Sequence, residues 1–274
     1  VVVHDYIQRY LPDQYGNFYE KCVIDLQRNA EAVFVMTEPT LEDGIQYAGL
    51  KKDKIKFTPL MFDSVSLRGS NGDNTVRKQY FLWSTNVGKH KNHIRALEAL
   101  ADYYEHGGEL LCYITGVDTK KFDPKEKYEN ENDYIDEVRR IIKKDPLLKK
   151  KLVFCGNMPK DKYYNMLSEA KFFMHPGFTD NGNMTAIDAA FLGVPTITSD
   201  YPAMRYYEKT MNLGMLFFNP FEPKELSELL FYMEKNYMKR KALIPKKSEL
   251  ERYTVNYTYI KLYNTVRNVF NLNY

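Results

Sequence analysis

From about residue 76 onward, short apolar runs alternate with longer segments whose apolar residues recur at helical spacing. "QYFLWST" reads as a strand and "KNHIRALEALADYYEHG" as an amphipathic helix stopped at Gly107-Gly108. "ELLCYITG", "KLVFCGN", "KFFMHPG", "VPTITSD" and "GMLFFNP" read as further strands. Between them, "DYIDEVRRIIKKD", "PKDKYYNMLSEA", "MTAIDAAFL", "PAMRYYEKT" and, after the last, "PKELSELLFYMEKN" read as helices. A strand followed each time by a helix leaves one economical solution, a doubly wound parallel sheet covered on both faces. The expected α/β unit spans 78–245. No internal repeat is visible.

The first 62 residues carry the same alternation but stop short of a full unit. "VVVHDYI", "AVFVMTE" and "DKIKFTPLMF" read as strands, with "YEKCVIDLQRNA" and "TLEDGIQYAGL" as helices. That is about half of a second α/β domain, so residues 1–62 are expected to be the end of one and the chain a piece of a longer protein. Residues 63–77 have the polar, Gly-bearing composition of a linker. Residues 246–274 are expected to form a C-terminal helix packing back toward the N-terminal part.

One stretch resists a simple reading. In "MHPGFTDNGNMTAIDAAFLGVPTITSD", residues 174–200, two carboxylates flank a run of Asn and Gly that no helix interior favours. Strand, loop, helix, strand resolves it. "PGFTDNGN" is the loop, "MTAIDAAFL" the helix and Gly193 its stop. Asp180 then lies in the loop and Asp188 about one turn into the helix, both able to face a crevice above the helix N-terminus.

Composition excludes several classes. A formal charge of +3 is too small to argue for nucleic acid. Lysines cluster at 51–56 and 143–151, where solvated faces are the ordinary reading and a contact with an anionic lipid or substrate the other. Cys22, Cys112 and Cys155 are odd in number and lack metal-ligand spacing, as expected of reduced thiols in a cytoplasmic protein. No apolar run reaches the ~20 residues of a membrane span. The sequons at Asn183 and Asn256 read as chance matches.

The succession "FLWSTNVGKHKN", "LLCYITG", "LVFCGNMP", "HPGFTDNGNMTAIDAAFLGVP" and "GMLFFNP" resembles the donor-binding half of retaining GT-B glycosyltransferases of the group 1 type. That family carries P-S-x-x-E-G-F-G-x-x-x-x-E-A-x-x-x-G-x-P-V, and residues 175–195 fill the frame without a gap. Asp180 stands at the first Glu, Asp188 at the second, with Ala189, Gly193 and Pro195 on their marks. Both carboxylates are one methylene shorter than in the family. Ser84 replaces the Gly after the first strand, and no Arg stands between Asn86 and His90. "VHD" at 3–5 is similar to the end of the family's acceptor-side domain.

The resemblance implies a GT-B-like α/β fold, with a Rossmann-type donor domain and a partial second α/β domain. It implies a nucleotide-sugar donor as substrate, a glycan or glycolipid hydroxyl as acceptor, and retained anomeric configuration. Gly182, Asn183, Met184 and Thr185 would offer backbone N–H groups and the positive dipole end of a helix to the diphosphate. Lys91 would add a fixed charge and Asn86 would lie beside it. Asp188 would accept from the ribose hydroxyls. Asn157 and Met158 would line the base pocket through backbone groups. Asp180 and His4 would face the transferred sugar, although an Asp in a loop and a lone His are also ordinary structural residues. Asn92 is expected to cap the helix. His90 and His93 lack a third metal ligand, and no Asp-x-Asp occurs, so no metal and no other cofactor is expected. Peripheral contact with the inner face of the cell membrane and contact with the remainder of a longer chain complete the expected partners. The alternative from another class is a non-catalytic nucleotide-sugar-binding or assembly module of a polysaccharide-building protein. A nucleotide-sugar epimerase on the same fold fits the second carboxylate frame less well.

Overall fold

The computed structural model describes residues 1–14, 17–58, 77–128, 132–180 and 184–270. The expected linker 63–77 lies outside these, except for Arg77. Two parallel sheets form. The smaller has the order β1-β2-β3, from Val2–Val3, Val33–Val35 and Ile55–Phe57. Helices α1 (Ile7–Tyr10), α2 (Asn17–Asn29) and α3 (Glu38–Gln46) accompany it. The first strand is shorter than expected because the chain turns at Asp5, whose Oδ1 accepts from the Ile7 N–H at 3.2 Å.

The larger sheet uses β4 (Tyr80–Ser84), β5 (Leu111–Thr115), β6 (Leu152–Gly156), β7 (Phe173–His175), β8 (Thr196–Ser199) and β9 (Leu216–Phe218). Its spatial order is β6-β5-β4-β7-β8-β9. The chain winds outward from β4 through β5 to β6, then returns to the other side of β4 as β7. This is the doubly wound dinucleotide-fold order, with its switch point between β4 and β7. Both faces are covered, which is why β4 is apolar almost throughout. Phe81 and Trp83 face α4 (His93–Glu105), α5 (Asp133–Lys144) and α10 (Pro223–Lys241). Tyr80 and Leu82 face α7 (Lys160–Glu169), α8 (Met184–Phe191) and α9 (Pro202–Met211).

Two local features set the crevice. Gly193 ends α8 at φ +61°, with its N–H on Ala190 O at 2.9 Å and the next N–H on Ala189 O at 2.8 Å, the expected glycine stop. Gly116 follows β5 at φ +130°, and a Cβ there would lie 1.8 Å from the Thr85 carbonyl oxygen. Only glycine lets the ends of β4 and β5 approach this closely.

Some elements differ from expectation. A short helix α6, Pro146–Lys151, was not foreseen; Asp145 caps it, accepting from Leu147 and Leu148 N–H at 2.7 and 3.0 Å, and only Leu148 is buried. The chain ends in α11 (Lys247–Leu250) and α12 (Val255–Val269), where Tyr257, Tyr259, Ile260 and Tyr263 are exposed. Asn92 precedes α4 but does not cap it with its side chain. It adopts φ 59°, ψ 40°, and its amide donates to Pro176 O at 3.0 Å and Pro220 O at 2.9 Å. The side chain is spent tying two loops together.

Candidate functional site

Loops from the carboxyl ends of β4 and β7 meet at the switch point, where ligands of open α/β sheets bind. After β4 the chain passes Thr85 and Asn86, whose Oδ1 accepts from the Gly88 N–H at 2.9 Å, and enters a 3-10 turn at Lys89–Lys91. After β7 it passes Pro176 and Gly177. The Phe178 N–H donates to His90 O at 2.9 Å, so the two loops share a backbone hydrogen bond. Across that seam Lys91 Nζ donates to Asp180 Oδ2 in an ion pair whose side chains are 13% and 22% exposed. Residues 89 positions apart thus form one half-buried charge pair at the mouth of the crevice.

Beside it lies a cleft of about 240 Å³ lined by Ser84, Thr85, Asn157, Met158, Lys160 and Tyr163, among others. The Tyr163 hydroxyl stands 3.0 Å from Ser84 Oγ. Burial, first, and then the Asp188 charge push the Tyr163 phenol above its ordinary pKa, while hydrogen bonds to Ser84 and Thr185 oppose the shift. Asp188 and Thr185 of α8 therefore face the same wall as Tyr163. In the first turn of α8, Thr185 reaches the cleft through its hydrogen bond with Tyr163, while Met184 packs against the core.

On the side of the small sheet, Asp5 and Asp180 line a small cavity of about 20 Å³ together with Thr179, Tyr10 and Asp43. Burial raises the Asp5 carboxyl, with Asp180's charge adding to the rise and the backbone N–H of Ile7 opposing it. Asp43 is buried, accepting from Arg9 Nη1 at 2.5 Å and from the Tyr10 hydroxyl at 2.8 Å. Two buried histidines back the walls. His175, last residue of β7, meets the Tyr201 hydroxyl at 3.0 Å; His93 opens α4. Burial lowers both to about 3. Burial and then the Lys91 charge lower half-buried His90. Among the described residues no three His, Cys, Asp or Glu side chains group as a metal site.

The family model of the group 1 glycosyl transferases matches residues 71–249. The chain belongs to this family. No curated protein sequence is significantly similar to it. Among solved structures, it is similar to Anabaena HepE in complex with UDP-glucose, with a TM-score of 0.74 at 15% identity over 97% of this chain and 71% of that one. Sucrose-phosphate synthase from Thermosynechococcus elongatus gives 0.72 at 12% identity, over 98% of this chain and 67% of that one. The pneumococcal O-GlcNAc transferase GtfA, in complex with UDP and GlcNAc, gives 0.68 at 15% identity over 98% and 52%. At such identities the likeness is one of fold, and the fold is GT-B.

The expected site residues of this group 1 glycosyl transferase distribute as follows. Lys91 and Asp180 come together directly. Asn157 and Met158 line the larger cleft, and Asp188, Met184 and Thr185 stand on the helix beside it. Asn86 is exposed at the start of its turn. His4 is exposed just after β1, its carbonyl accepting from Thr40 Oγ1 at 3.2 Å; its neighbour Asp5 is the residue that shares a cavity with Asp180. Gly182 and Asn183 lie outside the described residues. Thr85, Lys160, Tyr163 and Asp5 were not singled out from sequence. Asp5 was within reach, adjacent to His4 in "VHD"; the others carry no spacing signal. Among the described residues no helix is long and apolar enough to cross a membrane.

Proposed function

We propose that this chain transfers a sugar from a nucleotide-sugar donor to a hydroxyl of a glycan or glycolipid, as a hexosyltransferase that retains anomeric configuration. The observation that carries the reading is the charge pair Lys91–Asp180 at a Rossmann switch point, beside a cleft floored by β4 and β5 and next to the start of α8. The base enters the cleft against Asn157 and Met158. Asp188 receives the ribose hydroxyls. The diphosphate takes the backbone N–H groups of 182–185 and the Lys91 ammonium, which neutralises charge as the nucleoside diphosphate leaves. Asp180 turns from Lys91 toward the sugar hydroxyls, with His4 and Asp5 on the acceptor side. The protein's contribution is positioning and electrostatic stabilisation of the leaving group, with no divalent metal required.

UDP-sugars head the donor panel because UDP and UDP-glucose occupy similar folds. We further infer a cytoplasmic setting in the building of a polysaccharide, with peripheral contact at the inner face of the cell membrane. Calorimetry with UDP, GDP, ADP and dTDP, with and without EDTA, tests the donor site. Binding of one diphosphate that persists in EDTA is expected; binding lost to the chelator overturns the metal-free reading. Turnover of the matching sugar donor separates the enzyme from a binding module, and product anomer analysis reports retention.

A further inference from the structure

The cleft wall at the end of β4 is backed by a buried polar chain that runs from Thr85 through α4 to α5. His93 is 1% exposed, its ring set among Trp83, Phe122 and Tyr134. Its Nδ1 lies 2.8 Å from the Tyr134 hydroxyl and its Nε2 lies 3.0 Å from Thr85 Oγ1. The direction of each bond can be worked out. The Tyr134 oxygen accepts the His93 backbone N–H at 3.2 Å, so its own proton is free to point at Nδ1. Nδ1 is then the bare nitrogen, and Nε2 carries the hydrogen and donates to Thr85. The Thr85 hydroxyl in turn donates to Asn86 O at 3.1 Å. Thr85 is also pinned through its backbone, its N–H on Thr115 O at 2.9 Å and its carbonyl against Gly116.

We propose that the Tyr134–His93–Thr85 chain is a positioning device for the donor cleft, orienting Thr85 and Asn86 at the start of the turn that delivers Lys91. All three side chains are buried among apolar neighbours, where a donor or acceptor without a partner is costly, so the chain locks as a unit. Burial keeps the imidazole neutral, holding its pKa near 3, so the bond directions persist across the neutral pH range. Tyr134 and His93 act through Thr85, which lines the cleft.

The inference rests on the donor reading above, and two readouts separate them. The first needs no ligand. Nitrogen-15 NMR of the histidine ring at pH 7 should show His93 as the Nε2–H tautomer, with Nδ1 unprotonated; the opposite tautomer or an imidazolium overturns the relay. The second is UDP titration of the wild type and of variants whose far-ultraviolet circular dichroism is native. Tyr134→Phe should raise the UDP Kd about threefold to tenfold, and Thr85→Val about tenfold, while Thr85→Ser stays near wild type. The double variant Tyr134→Phe/Thr85→Val should be no weaker than the weaker single, because one chain is cut twice. Fully additive losses, or an unchanged Kd in both folded variants, overturn the positioning role alone. If the wild type binds none of the four diphosphates, the donor reading falls and this role with it.

Discussion

The two walls of the crevice are built differently. On the β4 side polar groups are consumed in fixing the backbone. Thr85 is bonded through its N–H and its hydroxyl, the Asn92 amide spans two carbonyls of other loops, and Gly116 presses against Thr85. On the β7 side the chain leaves His175 through Pro176 and Gly177, and presents Asp180 to Lys91 as a charge pair. A charge pair can be exchanged for a ligand's own anions at modest cost, whereas a buried hydrogen-bonded backbone cannot. Under the donor reading proposed above, the fixed β4 turn aims Lys91 at the diphosphate, and the exchangeable Lys91–Asp180 contact is where the sugar enters.

The largest expected effect concerns what the walls share, one buried neutral histidine each. Unfolded, His93 and His175 protonate near 6.5; folded, only near 3. Unfolding therefore takes up protons between these values. Stability is full above pH 6.5 and declines as pH falls toward 3, by about 2 kcal/mol per histidine at pH 5. Urea denaturation at pH 7.5 and pH 5 measures the decline. His175→Asn should remove about half of the loss, and an unchanged loss would mean that other groups carry it.

Lys91→Ala comes next, and it breaks the comparison at its seam. The lost charge-assisted contact should weaken diphosphate binding by about 1.5–3 kcal/mol in a protein that still unfolds cooperatively. Asp180 then keeps its charge without the Lys91 ammonium beside it, and its repulsion of the phosphates pushes the loss toward the upper end. Unchanged UDP affinity by calorimetry would make Lys91 a loop tether only.

Most of the fold was legible because sheet coverage writes itself into the residues: β4 "YFLWS" is apolar on both faces, and its neighbours alternate with amphipathic helices. The turn to α6 was missed because a single buried leucine among lysines shows no period. At the site, Lys91, Asp180 and Asp188 were legible through the family frame, but their grouping was not. The Lys91–Asp180 contact depends on β7 returning beside β4, a fact of topology that no local spacing reports. The His93 relay is less legible still, since its partners stand 8 and 41 residues away and each looks like an ordinary core residue.

The smallest and most discriminating effect separates the two carboxylates. Asp188 is 9% exposed on α8 beside Tyr163 and Thr185, on the nucleotide side. Asp188→Ala should weaken free UDP and the full UDP-sugar alike, by about 1–3 kcal/mol. Asp180 sits on the exchangeable wall, and a role confined to the sugar would leave free diphosphate binding untouched by its removal. Its ion pair with Lys91 sharpens that. Asp180→Ala releases the ammonium from a competing anion, so free UDP should bind equally or more tightly, by up to about 1 kcal/mol. The sugar-bearing donor should gain nothing or lose, because the carboxylate that accepts its hydroxyls is gone. The decisive quantity is the difference between the two ligands within each variant, taken from paired titrations at one ionic strength. A near-zero difference for Asp188→Ala with a clear one for Asp180→Ala upholds two walls with two tasks. Equal losses of both ligands in both variants would reduce the carboxylates to supports of one loop.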